Sequence, residues 1–375
     1  MASIYLDHNS TTPLLAEAAD AMRRTEAEAF GNPASAHHSG RAARRALEDA
    51  REQIAALLGA HADEVTFTSG ATEANNLAVF SLATGRVAAS PIEHPCVIEP
   101  LRQLEARGVP VDWWPVDSRG IVAPSPVPAD TQLVCVMLVN HETGALQPVQ
   151  AITRIVSPST AIHCDAVQAV GKIPVNFREL GVTTLTASAH KFAGPKGVGV
   201  LIAKRGTKLR ALQYGGHQQQ GRRPGTESAP LAVGMATALD VAVRNMTANR
   251  ARLEALRARL WERLRECCAI VLNGPEIGAS DVVLTTLNVS FPGYRADVLL
   301  MSLDLAGIAC STGSACSSGS LLPSPVLRAM GIPEEQLRTA LRFSFSPTLE
   351  LADIDEAANR IDSVVRSLRE SSKLE

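Results

Sequence analysis

The stretch Ala161-Ile162-His163-Cys164-Asp165-Ala166-Val167-Gln168 decides the architecture. It opens as a short apolar run suited to a buried strand and turns polar at Asp165, where a strand would deliver its side chains into a cleft. The same pattern recurs on both sides of it. Val65-Thr66-Phe67-Thr68 leads into a helical run from Ala71, and Val87-Ala88-Ala89 leads into another that starts near His94. Leu133 to Val139 is a strongly apolar strand, and Thr184 to Ala187 and Val198 to Ala203 complete the set. Strands alternating with helices predict an α/β domain whose sheet is mostly parallel. Such a sheet holds its ligand at the carboxyl ends of the strands.

Further along, a helical region from Ala229 to Cys267, rich in Ala, Leu and Arg, carries the chain away from this sheet. Beyond it lie Val283 to Phe291, a helix from Ala296 to Leu305, a cysteine-bearing loop, Leu341 to Phe345, and an amphipathic helix from Leu351. These predict a smaller α+β domain, which Ile4-Tyr5-Leu6 joins. The expected division is a large domain over 12–246 and a small one made of 1–11 and 247–375. Two domains also suit 375 residues, because a single core stops growing at about 250–300.

With 46% hydrophobic and 20% charged residues the composition is that of an ordered chain, and a net charge of −2 gives no support for nucleic acid or an anionic membrane as partner. No stretch approaches the roughly 18 apolar residues of a membrane span. The first residues, Met-Ala-Ser-Ile-Tyr-Leu-Asp-His, lack a signal-peptide pattern, so a cytoplasmic location is expected. Seven cysteines, at 96, 135, 164, 267, 268, 310 and 316, show no CxxC spacing; most are expected to be reduced and buried, and no metal site is expected.

A second polar strand end is Ser188-Ala189-His190-Lys191, followed by Phe192-Ala193-Gly194-Pro195-Lys196-Gly197. Asp165 and Lys191 are the two groups that pyridoxal phosphate chemistry needs most: an amine to bind the aldehyde and a carboxylate to keep the pyridine nitrogen protonated. An apolar neighbourhood around Lys191 favours its neutral, nucleophilic amine. For Asp165 two readings stay open, a helix N-cap and a catalytic group. Gln168 lies on the same helical face, three residues on. Ser69-Gly70-Ala71-Thr72-Glu73 sits between a strand and a helix and offers either a phosphate site or ordinary N-capping. Gly194 to Gly197 lacks the spacing of a nucleotide loop and is read as a turn supporting Lys191.

Taken together, Ser69 to Asn75, His163 to Gln168, Ser188 to Gly197 and the loop Ser311-Thr312-Gly313-Ser314-Ala315-Cys316-Ser317-Ser318-Gly319 resemble the cysteine desulfurase family. These are pyridoxal phosphate enzymes of the class V aminotransferase group, here in the longer-loop subgroup, and the likeness runs from Tyr5-Leu6-Asp7 through Leu341-Arg342-Phe343-Ser344. The resemblance implies the pyridoxal-phosphate-dependent transferase fold. It makes Lys191 the Schiff-base lysine, pairs Asp165 with the pyridinium nitrogen and sets Gln168 on the ring oxygen. His94, otherwise a helix-start histidine, would stack on the ring and assist proton transfer. Ala71, Thr72, Ser188 and His190 would hold the phosphate, and Thr226 would reach it from a second subunit, so a homodimer is implied. Asn140, near the cofactor, and Arg342 would bind the substrate carboxylate, a task that suits a planar guanidinium.

Cys316 lies among small residues with no bulky anchor, which predicts a mobile thiol. By the resemblance it takes sulfur from L-cysteine as a persulfide, leaves alanine, and passes the sulfur to an acceptor protein such as an iron–sulfur scaffold or a tRNA-thiolation enzyme. Two positions depart from the family pattern: Leu322, where many relatives are acidic, and His141, where a second Asn is common. Neither is expected to touch the core chemistry. The chain is also expected to lack the extended tail with which some relatives contact a scaffold protein. The alternatives are a selenocysteine lyase or small-amino-acid aminotransferase of the same fold and, less well supported, a sulfur carrier without the cofactor.

Overall fold

The computed structural model describes residues 3–313 and 323–371. Cys316 and Leu322 lie outside the described residues. In chain order the elements begin with β1 (Ile4–Tyr5), α1 (Ala16–Glu28), α2 (His38–Leu57), β2 (Val65–Thr68), α3 (Ala71–Leu82), β3 (Val87–Ala89), α4 (Pro95–Glu105) and β4 (Val111–Trp113). They continue with β5 (Leu133–Cys135), α5 (Val149–Ile155), β6 (Ala161–Asp165), α6 (Phe177–Leu180), β7 (Thr184–Ser188), β8 (Gly199–Ala203), α7 (Ala229–Arg244) and α8 (Met246–Cys267). The last are β9 (Val271–Leu272), β10 (Thr286–Ser290), α9 (Ala296–Leu305), β11 (Ile308–Ala309), α10 (Pro325–Ala329), α11 (Glu334–Leu337), β12 (Ala340–Ser344) and α12 (Leu351–Ser371).

Seven strands form one sheet in the order β2-β8-β7-β6-β5-β3-β4. All neighbours are parallel except those of β8, which runs against both β7 and β2. The sheet is therefore mostly parallel, as the alternation of strands and helices predicts. Its central strands are buried on both faces, which is why they read as unbroken apolar runs. Along β8 the alternation of the pleat is visible in the packing: Val200 and Ile202 join the core beneath α2 and α7, while Leu201 packs with Ala74, Leu77 and Ala78 of α3.

A second, antiparallel sheet, β12-β10-β9, and the short parallel pair β1–β11 gather beside α8, α9 and α12. They share a separate apolar core that includes Leu260, Leu287, Phe291, Leu303, Phe343 and Ile361. A small cluster joins the two regions, in which Ile92 and Met137 meet Val326, Leu327, Leu337 and Ala340.

Some sequence expectations shift. The Leu133–Val139 run is an assigned strand only to Cys135; Val136 and Leu138 still donate to the His163 and Asp165 carbonyls of β6, and Val139 bridges to Leu146. The helical region from Ala229 is two helices, broken at Asn245, which closes α7 and precedes α8. Edge strand β4 and helices α1 and α2 are additional to what the sequence patterns predict.

Candidate active site

Three strand ends converge. β6 ends on Asp165, β7 ends on Ser188 and passes into a single 3-10 turn, Ala189–Lys191, and β2 leads through Ser69 and Gly70 into α3. They line one cavity of about 440 Å³, together with Ser10, Thr72, His94, Gln168 and His190. Gly70 sits at φ 154° and ψ −177°, a backbone region essentially closed to other residues. No side chain caps α3. The first-turn N–H groups at Ala71 and Thr72, which line the cavity, are thus left for an anion.

Residues 166–172 form turns rather than the expected helix, so Asp165 caps no helix and Gln168 stands on a turn. Asp165 Oδ1 accepts from the Val167 N–H at 2.9 Å, closing that turn, while its Oδ2 accepts from Asn75 Nδ2 at 2.7 Å. Asn75 Oδ1 then meets His163 Nε2 at 3.0 Å, and His163 Nδ1 meets Thr184 Oγ1 at 2.9 Å. Burial pushes the His163 pKa down to about 3, so the ring is neutral. The amide oxygen facing it requires Nε2 to carry the proton, and Nδ1 accepts from the Thr184 hydroxyl. A four-residue series of hydrogen bonds therefore fixes the carboxylate.

Lys191 Nζ donates to the carbonyls of Asn9 at 2.6 Å and Ser10 at 2.9 Å. Gln168 Nε2 donates to the same Asn9 carbonyl at 3.0 Å, and Lys172 Nζ donates to Asn9 Oδ1 at 3.2 Å and to Gln168 Oε1. His190 is held neutral: burial, and then the charges of Lys191, Lys196 and Lys172, lower its pKa to about 4. His94 caps α4, accepting from the Cys96 N–H at 3.2 Å, and its ring also lines the cavity. Burial is the first cause of its lowered pKa.

Asn140 behaves differently from expectation. It is fully buried, and its Oδ1 accepts from the Glu142 N–H, the Thr143 N–H and the Thr143 hydroxyl, while its Nδ2 donates to the Ile92 carbonyl. In this structure its amide builds the 140–143 turn and lines neither cavity. Arg342, on β12, lines neither cavity; it donates through Nη1 to the His141 carbonyl at 3.1 Å and through Nη2 to Asp7 Oδ1 at 2.8 Å and Ser10 Oγ at 2.9 Å, and its Nε is buried without a partner among the described residues.

The class-V aminotransferase model matches residues 4–356. A protein named cysteine desulfurase IscS from Dictyoglomus turgidum is 40% identical over 378 residues, covering 98% of this chain and 95% of the relative. The chain belongs to the class-V aminotransferase family, in its cysteine desulfurase branch. Among solved structures, a NifS-like protein superposes with a TM-score of 0.91 at 35% identity, over 97% of this chain and 99% of that one. A structure titled SspA in complex with cysteine gives 0.79 at 31% identity, over 92% and 99%. The fold is thereby that of the family's pyridoxal phosphate enzymes.

Thr226 is exposed and lies outside the cavity of its own chain. Its loop is tied to that cavity through Arg223, whose Nε donates to Glu73 Oε1 at 2.9 Å. Cys96, Cys135 and Cys164 are buried as expected, but Cys267, Cys268 and Cys310 are only half-buried. Among the described residues, Cys267, Cys268 and Asp362 form the one group with metal-like spacing, and Arg366 already bonds both Asp362 oxygens.

A second cavity, of about 750 Å³, adjoins the family site and is lined by Glu93, Trp113, His141, Glu142, Gly313 and Pro323 among others. His141 lines both cavities. Glu142 Oε2 accepts from the Ser324 hydroxyl at 2.6 Å, and burial raises its pKa to about 7. Sequence motifs did not point to Asn9, Lys172 or Glu142. Asn75 carried a signal, an amide inside the apolar stripe of Ala74, Leu77 and Ala78.

No described helix is long and apolar enough to cross a membrane.

Proposed function

We propose that the chain is a pyridoxal-phosphate-dependent cysteine desulfurase. The observation that carries this is one cavity holding an amine, a carboxylate and an uncapped helix start, in a chain with curated cysteine desulfurase relatives. These three fit an aldehyde, a pyridinium nitrogen and a phosphate respectively. The cofactor supplies an electron sink for charge developing at the substrate Cα.

Lys191 carries the amine that holds the cofactor and exchanges the Cα proton. Asp165, kept in place by Asn75 and the Val167 N–H, keeps the ring nitrogen protonated. Ala71, Thr72, Ser188 and His190 bind the phosphate, with Thr226 of a second copy completing it in a homodimer. Gln168 reaches the ring oxygen and His94 covers the ring. Arg342 takes the substrate carboxylate, its unpartnered Nε supplying an unused donor.

The Cys316 thiolate forms an S–S bond to the substrate sulfur as the substrate C–S bond breaks. The balance is L-cysteine plus the Cys316 thiol giving L-alanine plus a Cys316 persulfide. The persulfide then passes sulfur to an acceptor protein, as in iron–sulfur cluster assembly or tRNA thiolation, in the cytoplasm. Two separate cores support a large domain over 12–246 and a small one of 1–11 and 247–375.

Incubating the purified, cofactor-loaded chain with L-cysteine should release alanine, and Cys316→Ser should stop this while the visible cofactor absorbance persists. Full activity in Cys316→Ser, or a keto acid product, would refute the reading.

A further inference from the structure

His141 occupies an unusual position at the neck between the two cavities. Its backbone is fixed: the carbonyl accepts from Arg342 Nη1 at 3.1 Å and from Asn9 Nδ2 at 3.2 Å, and the Asn140 amide closes the turn behind it. Its ring is fixed as well. It meets the His94 ring edge-on, centroids 5.3 Å apart, and its Nε2 lies 3.8 Å from Glu142 Oε1. In its ionised form the Glu142 carboxyl on that side favours the tautomer with the proton on Nε2. That leaves Nδ1 as a bare acceptor, and this nitrogen is buried with no hydrogen-bond partner among the described residues, in a residue only 8% exposed.

Buried polar atoms without partners are rare and costly, so each one asks what fills it. The charged and titratable groups around the ring are Glu142, His94, Arg342 and Lys191, with Glu93 lining the outer cavity. Burial foremost, and then His94, Arg342 and Lys191, hold the ring neutral. A neutral nitrogen with a bare lone pair calls for a ligand that brings a proton. Arg342 bonds the carbonyl of this same residue, so in the carboxylate-binding role proposed for it a small amino acid would stand beside the ring.

We propose that His141 is a specificity-determining residue whose Nδ1 accepts the hydrogen bond of the substrate's S–H. This rests on the desulfurase reading above. A thiol satisfies the nitrogen; a thioether or a methyl leaves it unpaired, and a selenol, already ionised at neutral pH, brings no proton. His141 therefore favours cysteine over selenocysteine.

The test compares alanine release from L-cysteine and L-selenocysteine by the full, cofactor-loaded chain. His141→Phe keeps the ring volume without an acceptor, and His141→Gln restores an acceptor oxygen. His141→Phe should lose about ten- to a hundredfold in kcat/KM on cysteine and less than about threefold on selenocysteine, with His141→Gln recovering most of the loss. Equal losses on both substrates, or no loss on cysteine, overturn the assignment. If the unaltered chain releases no alanine from cysteine, the desulfurase reading itself fails.

An independent measurement is ¹⁵N-histidine NMR of the loaded chain at neutral pH, with the His141 signal identified by its absence in His141→Gln. Nδ1 should resonate as an unprotonated nitrogen that moves when L-serine, an unreactive hydroxyl donor, is added and stays still with L-alanine. An imidazolium signal, or equal movement with both, overturns it.

Discussion

On the wall assigned to the cofactor, Asp165 meets Asn75, Asn75 meets His163 and His163 meets Thr184, and every polar atom in the series is bonded. Beside the second cavity, by contrast, His141 Nδ1 and Glu93 Oε2 are buried and have no partner among the described residues, and Arg342 Nε on β12 is in the same condition. A buried polar group left unpaired costs about 1–3 kcal/mol. A resident cofactor allows a fully bonded wall, because it stays. A substrate that comes and goes needs atoms that wait for it, and the fold tolerates the cost where turnover requires it.

The contrast can be broken at several points. Lys191→Ala should remove the attached cofactor's absorbance and lower alanine release by about 10³-fold; an active, coloured variant would place the amine chemistry elsewhere. Asn75→Leu removes one residue from the bonded wall and leaves both Asp165 Oδ2 and His163 Nε2 without partners. It should cost about 2–4 kcal/mol in urea unfolding. A change within about 0.5 kcal/mol, the usual range for an exposed site, would mean that the series carries no stability.

Gly70→Ala addresses backbone rather than hydrogen bonds. A Cβ there meets nothing closer than Ser188 Oγ at 3.9 Å, so the whole cost is conformational. It should amount to about 1–3 kcal/mol and weaken phosphate affinity. A variant as stable as the original would show that the loop relaxes freely.

The smallest effect lies beside the second cavity. Burial is the main cause that raises the Glu142 pKa from 4.5 to about 7, against the Ser324 hydroxyl and Arg342, which lower it. The folded chain thus holds this proton more tightly than the unfolded one. The stabilisation is full below about pH 4.5 and is lost as pH rises through about 7. The melting temperature relative to Glu142→Gln should therefore fall across that window. A flat difference would show that Glu142 does not titrate there.

Local pattern made much of this legible. The strands that end at the site are short apolar runs closed by polar residues, and the fold of the large sheet follows from them. What local pattern misses is decided at a distance. Leu133 to Val139 looks like one strand, and its bonds to β6 run on to Leu138, but tertiary contacts claim Val139 for the turn that Asn140 builds. Strand β4 has Asp112 in its middle and is half-buried at an edge, so it lacks the apolar signature. Ala229 to Cys267 has neither Gly nor Pro at the break, and so reads as one helix.

The site shows the same division. Lys191, Asp165 and Gln168 stand in compact motifs. Asn9, which gathers Lys191, Gln168 and Lys172, lies 159 to 182 residues from them in sequence. Asn140 matches a family position, but its side-chain bonds belong to the turn it builds. Only the folded arrangement reveals that His141, its neighbour, is the residue left facing the cavity.

The β1–β11 pair gives the chain an order of completion. Ile4 and Tyr5 pair with Ile308 and Ala309, and Asn9 and Asp7 bond Ser344 and Arg342 across 335 residues. During synthesis from the amino end, at about 5–20 residues per second, residues 4–10 emerge early and wait many seconds for those partners. Until then the carbonyls of Asn9 and Ser10 cannot settle beneath the Lys191 amine. The large sheet can fold on the ribosome, but a working site closes only when the last strand has been made.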